Sequence, residues 1–203
     1  MGVIGMEDIT VQSEDQASIA TYLLPGGTLA VILCHGKAFD RDSFVDYGQA
    51  LHAQGYTVAI LNFRGYGRST VGTQGPDAIA YDVLAVAGML KARGHECVAL
   101  GASRGGGGVL RAVALNPESF RGVITWSTVA VDDAVAQKLG HVPKLFIVSE
   151  KEMMHEQTMA VYHKSPDPKW LKEIPGGRHA QKIWQGPDRD MIEQDVRMFL
   201  KSL

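Results

Sequence analysis

Glu96 to Ala112 reads E-C-V-A-L-G-A-S-R-G-G-G-G-V-L-R-A, and this stretch decides the fold. Cys97 to Leu100 is a short apolar run of the kind that forms a buried strand. Gly101-Ala102-Ser103-Arg104-Gly105 follows it, and Val109 to Leu115 then reads as a helix. The predicted local structure is therefore strand, glycine-rich turn, helix, with a serine at the turn.

Strand, G-x-S-x-G and helix together resemble the nucleophile elbow of the α/β-hydrolase family. In that family the turn is so tight that the residues two before and two after the serine must be nearly free of side chain, as Gly101 and Gly105 are. The resemblance implies that Ser103 is lifted clear of the sheet at a helix N-terminus, where free N–H groups stabilise an oxyanion. A second resemblance competes. G-A-S-R-G-G-G is similar to the G-A-S-R-G-x-G of short-chain dehydrogenases, whose loop holds a dinucleotide pyrophosphate. Here, however, the loop lies mid-chain rather than after a first strand, and no acidic residue ends the next apolar run, Gly122 to Trp126. None of the six tyrosines has a lysine four residues later, so the Tyr-x-x-x-Lys pair of the dehydrogenases is missing. A third reading is a glycine-rich turn without chemistry.

With 203 residues the chain is expected to form one domain, residues 1–203, large enough to bury a core without staples. A hydrophobic content of 45% and a net charge of −2 describe an ordinary globular protein without the basic stripe of a nucleic-acid binder. No apolar run reaches membrane-spanning length. Met1-Gly2 does not open a convincing myristoylation site, because Met6 stands where Ser or Thr belongs, and no secretory leader pattern is visible. A cytoplasmic location is the expectation, with no nucleic-acid or membrane partner. Cys34 and Cys97 read as buried core thiols.

Taken in order, Ile9–Gln12 and Ser18–Leu23 alternate as a hairpin does, and Leu29–Cys34 is a continuous apolar run suited to a central strand. A helix is predicted over Arg41–Gln54, a buried strand over Thr57–Leu61 and a helix over Asp77–Lys91. Beyond the Ser103 turn come strands at Gly122–Trp126, Lys144–Val148 and Trp170–Ile174, a surface helix over Met154–Lys164 and an amphipathic helix over Asp188–Leu200. About eight strands alternating with helices after a hairpin argue for a mostly parallel sheet covered on both faces. That order is also that of the α/β-hydrolase fold. Only Ser127 to Val142 lies where many members insert a lid, so little or no lid is expected. In this fold Cys34 would end one parallel strand and Cys97 begin its neighbour, which rules out a disulfide between them.

The family's chain order is serine, acid, histidine. Lys144–Met154, K-L-F-I-V-S-E-K-E-M-M, resembles the family's strand followed by G-x-x-D, with Ser149 at the glycine and Glu152 at the acid. Glu150 is the competing carboxylate. Ile174–Ala180, I-P-G-G-R-H-A, resembles the loop whose G-x-x-H carries the base, here Gly176 and His179. Cys34–Ala38, C-H-G-K-A, resembles the His-Gly loop. The resemblance assigns oxyanion N–H groups to Lys37 and Arg104 and makes His35 a loop brace. Asn62–Ser69, N-F-R-G-Y-G-R-S, resembles the D-x-R-G-x-G-x-S loop, with Arg64 and Arg68 read as structural. Ala38, Phe39, Trp126, Met153 and Met154 flank these loops and are candidates to line a substrate pocket. No metal-binding spacing occurs, and neither metal nor other cofactor is expected. The implied activity is serine-dependent hydrolysis of small carboxylic esters or thioesters. A non-catalytic small-molecule-binding protein on the same fold and an NAD(P)-dependent oxidoreductase are the alternatives.

Overall fold

The strand pattern resolves into one sheet in a computed structural model that describes residues 5–203; the Met1-Gly2 terminus lies outside them. The strands are β1 (Glu7–Gln12), β2 (Ser18–Leu24), β3 (Leu29–Cys34), β4 (Thr57–Leu61), β5 (Glu96–Ala102), β6 (Gly122–Trp126), β7 (Lys144–Ser149) and β8 (Lys169–Ile174). Their spatial order is β1-β2-β4-β3-β5-β6-β7-β8. The β1–β2 and β2–β4 pairs are antiparallel, and every pair from β4 to β8 is parallel.

The helices are α1 (Val45–Ala53), α2 (Ile79–Ala92), α3 (Arg104–Leu115), α4 (Asp133–Gln137), α5 (His155–Lys164) and α6 (Arg189–Lys201). Side chains alternate across a strand, so the continuous apolar runs feed two cores. Ala30, Ile32 and Cys34 of β3 face one layer with Val83, Val86 and Leu90 of α2, Val109 and Val113 of α3 and Val161 of α5. Val31 and Leu33 face the other, with Tyr47 and Leu51 of α1 and Ile192, Val196 and Phe199 of α6. The parallel register sets Cys97 beside Ala30 and Cys34 beside Gly101. Both thiols are free and buried, and burial raises the pKa of each, that of Cys97 to about 11.

Most boundaries fall within two residues of the sequence reading, and three differences are instructive. The Arg41–Gln54 segment begins with a 3₁₀ turn, Arg41–Phe44, capped by the Asp40 carboxylate accepting from the Asp42 N–H at 3.0 Å. The helix expected from Val109 starts at Arg104, because four glycines hide its first turn from any propensity argument. Those glycines fit a close approach: a Cβ on Gly108 would lie 2.8 Å from Ile79 Cδ1 of α2. The surface helix begins at His155 rather than Met154. Between β6 and β7 stands only the five-residue α4. Among the described residues no helix is long and apolar enough to cross a membrane.

Candidate active site

Parallel strands deliver their C-terminal ends to one rim of the sheet, and the loops there carry the chemistry. β5 ends in Ala102, α3 starts at Arg104, and the serine between them has φ 52° and ψ −117°. Positive φ in a non-glycine residue stores about 1–3 kcal/mol and persists only where its surroundings hold it. Here the Ser103 N–H donates to Trp126 O at 2.9 Å, and Ser103 O accepts from Gly107 N–H at 3.2 Å and Val129 N–H at 3.3 Å. The flanking glycines are obligatory. A Cβ on Gly101 would collide with the carbonyl of Gly105, and one on Gly105 with the carbonyl of Cys34.

His179 follows β8 and Glu152 follows β7, and both reach Ser103. His179 Nε2 lies 2.9 Å from Ser103 Oγ, and Nδ1 lies 2.6 Å from Glu152 Oε2. The Glu152 side chain is 1% exposed and that of His179 28%, so the contact is sheltered on the acid's side and open on the base's. Oε2 also accepts from the Met154 N–H at 3.2 Å, while Oε1 is buried with no hydrogen-bond partner among the described residues. Glu150 is exposed, and its backbone N–H is tied to Ile174 O at 3.0 Å. Of the two carboxylates, the structure brings Glu152 to the histidine.

The Gly36–Phe39 turn, closed by the Phe39 N–H on Gly36 O at 3.1 Å, lies against the serine. A Cβ on Gly36 would sit 3.4 Å from that of Ser103. Lys37 and Ala38 are exposed on this turn, and Lys37 O accepts from the Tyr66 hydroxyl at 2.8 Å. Arg104 is the first residue of α3, where a backbone N–H has no partner four residues back. Its guanidinium is turned away to Pro76 O at 3.0 Å. His35 is buried, donating from Nδ1 to Gly36 O at 2.9 Å and accepting at Nε2 from the Phe63 N–H at 3.1 Å. Burial lowers its pKa to about 4. With both nitrogens occupied, His35 braces the loop.

One sequence expectation needs correction. Trp126 is 0% exposed and does not line a surface pocket. As β6 alternates, its indole points into the α1/α6 layer, 4.8 Å from the Tyr47 ring and 5.7 Å from that of Phe44. Its contribution to the site is its backbone carbonyl. Phe39 and Met154 are half-buried beside the Ser103 rim and the Glu152 loop, and Met153 is 75% exposed. Arg64 is fully buried between Asp15 and Asp82, and Arg68 pairs with Asp8 at 2.6 Å, so both arginines are engaged within the fold. His155 is bound to Glu173 at 2.7 Å on the surface. Among the described residues no three His, Cys, Asp or Glu side chains cluster as a metal site would require.

The reading of the sequence did not foresee what Ser127 and Ser149 do. Ser127 Oγ accepts from the Ala180 N–H at 3.2 Å, and Ser149 Oγ donates to Arg178 O at 2.6 Å. Ser149 carried a signal, since it stands where the resemblance calls for glycine. Ser127 carried none: nothing in its neighbouring sequence marks its φ of 54° or its Ala180 partner 53 residues away.

With this geometry in place, the chain can be set beside known proteins. A family model described as alpha/beta hydrolase fold matches residues 30–180. An uncharacterized protein of Mycobacterium tuberculosis (strain H37Rv) is 33% identical over 64 residues, which is 30% of this chain and 23% of that protein. The matched stretch thus spans about a quarter of that relative. Among solved structures, the alpha/beta hydrolase GrgF from Penicillium sp. sh18 superposes with a TM-score of 0.85 at 15% identity, over 97% of this chain and 98% of that one. The Pyrococcus furiosus esterase Pf2001 gives 0.79 at 16% identity, over 97% and 92%. At these identities the likeness is one of fold.

Proposed function

The chain belongs to the alpha/beta hydrolase fold family, and on that premise we propose that it is a serine hydrolase cleaving small carboxylic esters or thioesters through an acyl-enzyme. One observation carries the reading: the unbroken relay Ser103 Oγ–His179–Glu152, 2.9 Å and 2.6 Å, set on a strained elbow. Ser103 Oγ attacks the substrate carbonyl as His179 Nε2 takes its proton. The Glu152 carboxylate holds the Nδ1–H and stabilises the imidazolium without itself taking the proton. The backbone N–H groups of Lys37 and Arg104 face the oxyanion of the tetrahedral intermediate. As that intermediate collapses, the acyl–oxygen or acyl–sulfur bond breaks and His179 returns its proton to the leaving alcohol or thiol. Water then repeats the sequence on the acyl-enzyme, releasing the acid and restoring Ser103. Ala38, Phe39, Met153 and Met154 form the rim against which the substrate's apolar part rests.

Labelling with a fluorophosphonate tests this reading. The wild type is expected to take up one equivalent and Ser103→Ala none, with the fold intact by circular dichroism. Labelling that survives in Ser103→Ala would remove the assignment. With only α4 between β6 and β7, a panel of p-nitrophenyl esters is expected to be turned over best at short or compact acyl groups.

A further inference from the structure

The peptide units on either side of His179 are each held by a buried serine from a different strand. On the N-terminal side, Ser149 Oγ at the end of β7 donates to the carbonyl of Arg178 at 2.6 Å. On the C-terminal side, the N–H of Ala180 donates to Ser127 Oγ, just beyond β6, at 3.2 Å. Both serines are 0% exposed. We propose that Ser127 and Ser149 are positioning residues that clamp the backbone around His179 and so set the imidazole between Ser103 and Glu152. The proposal rests on the hydrolase reading above and deepens it.

Three features support a clamp rather than incidental packing. First, His179 needs one. It follows β8, an edge strand, in a loop containing Gly176 and Gly177, and those residues alone would leave the ring's height and tilt loosely set. A reacting group displaced by about 1 Å can lose on the order of 10² in rate. Second, the clamp is strained. Ser127 has φ 54° and Ala180 φ 55°, and with Ser103 at 52° they are three of the four non-glycine residues of positive φ among those described. Left-handed serine and alanine persist only where neighbouring contacts over-determine them, a condition associated with functional sites. Third, the Trp126–Ser127 segment touches all three arms of the relay. Trp126 O accepts from Ser103 N–H, Ser127 N–H donates to Ile147 O in the strand leading to Glu152, and Ser127 Oγ takes the N–H that follows His179. Neither serine touches the reacting atoms; both act through His179.

The test combines turnover of p-nitrophenyl acetate with proton spectra of the full chain labelled with ¹⁵N-histidine. Ser149→Ala is expected to lower kcat about 10–100-fold with KM within about threefold. It is also expected to weaken or broaden the downfield resonance of the Nδ1 proton shared with Glu152. Ser149→Thr keeps the hydroxyl on a strand that suits a β-branched residue, and is expected to restore both. Ser127→Gly removes the hydroxyl and relieves the positive φ. The relieved strain offsets the loss of the Ala180 hydrogen bond, so the variant is expected to fold, with circular dichroism and Tm checking it, while losing about tenfold in kcat. If Ser149→Ala and Ser127→Gly both keep the resonance and stay within about threefold of wild-type kcat, the clamp is refuted. If the wild type takes up no fluorophosphonate, the hydrolase reading fails instead, and the Nδ1 resonance in the variants then decides the clamp alone.

Discussion

The Arg64 and His179 acid–base assemblies are finished differently. Around Arg64, every group is used. Its guanidinium bonds Asp15 at 2.7 and 2.9 Å and Asp82 at 2.7 and 2.9 Å, and Asp82 also accepts the Arg64 N–H at 2.9 Å. The Arg64 hydrogen bonds hold the Asp15 carboxyl well below the usual carboxylate range, helped by Ser13 and the Gln74 N–H. Asp82 sits on α2 with fewer donors, and burial raises its pKa against the pull of the same arginine. Around His179, by contrast, one carboxylate oxygen of Glu152 is buried without a partner and the serine is strained. The difference agrees with reading the first cluster as structural and the second as the reactive centre of the proposed hydrolase.

The sharpest way to break that assignment is to change each assembly and see which property moves. Glu152→Gln keeps the shape but favours the wrong imidazole tautomer, and it is expected to lose on the order of 10²–10⁴ in kcat. Glu150→Gln, at an exposed position, is expected to change kcat by less than about tenfold. Reversed effects would make Glu150 the acid and contradict the 2.6 Å contact.

Arg64→Met tests the other side. Removing the guanidinium strands two buried carboxylates, which should destabilise by about 3–5 kcal/mol. For a domain of this size that is a fall in Tm of roughly 6–20 °C. Well below Tm, turnover is expected to stay within about threefold, since Arg64 touches neither Ser103 nor His179. A large loss of kcat at unchanged Tm would erase the distinction between the two assemblies.

How much of this was legible beforehand follows from which interactions are local. The succession of strands is written in apolar runs, while Ser103, Glu152 and His179 are placed by the resemblance of their short motifs to those of the hydrolase family. Parallel strands then bring those loops together whatever the details of packing. The direction of a side chain at a strand end is not local. Trp126 looks like a pocket residue by position, yet the register of β6 between β5 and β7 turns it into the core. The same holds for Asp15, whose partner Arg64 lies 49 residues away, and for Ser127, whose partner Ala180 lies 53 residues away.

The smallest effect concerns His35 and is read from the pH dependence of stability. His35 belongs with the structural assembly: both ring nitrogens are engaged, and burial holds it neutral down to about pH 4. In the unfolded chain its pKa returns to about 6.5, so below that pH the unfolded state binds a proton that the folded state refuses. A depressed folded pKa gives stability that is fully present above 6.5 and is lost as pH falls towards 4. At 1.36 kcal/mol per pKa unit the whole interval represents roughly 3 kcal/mol. Asp15 contributes in a lower window, because its stabilisation is lost as the unfolded carboxylate takes up protons around the ordinary 3.8 while the folded one stays ionised. Urea denaturation at pH 7, 6, 5 and 4 is expected to show stability falling for the wild type. In His35→Asn, which removes the titrating ring, the fall should be shallower by up to about that amount. Because the variant also loses the Phe63 contact, its stability at pH 7 will be lower; the prediction concerns the slope. Parallel curves would mean that His35 takes up its proton in the folded state near the ordinary value. The ring would then be less firmly committed to bracing the Gly36–Phe39 turn than its hydrogen bonds indicate.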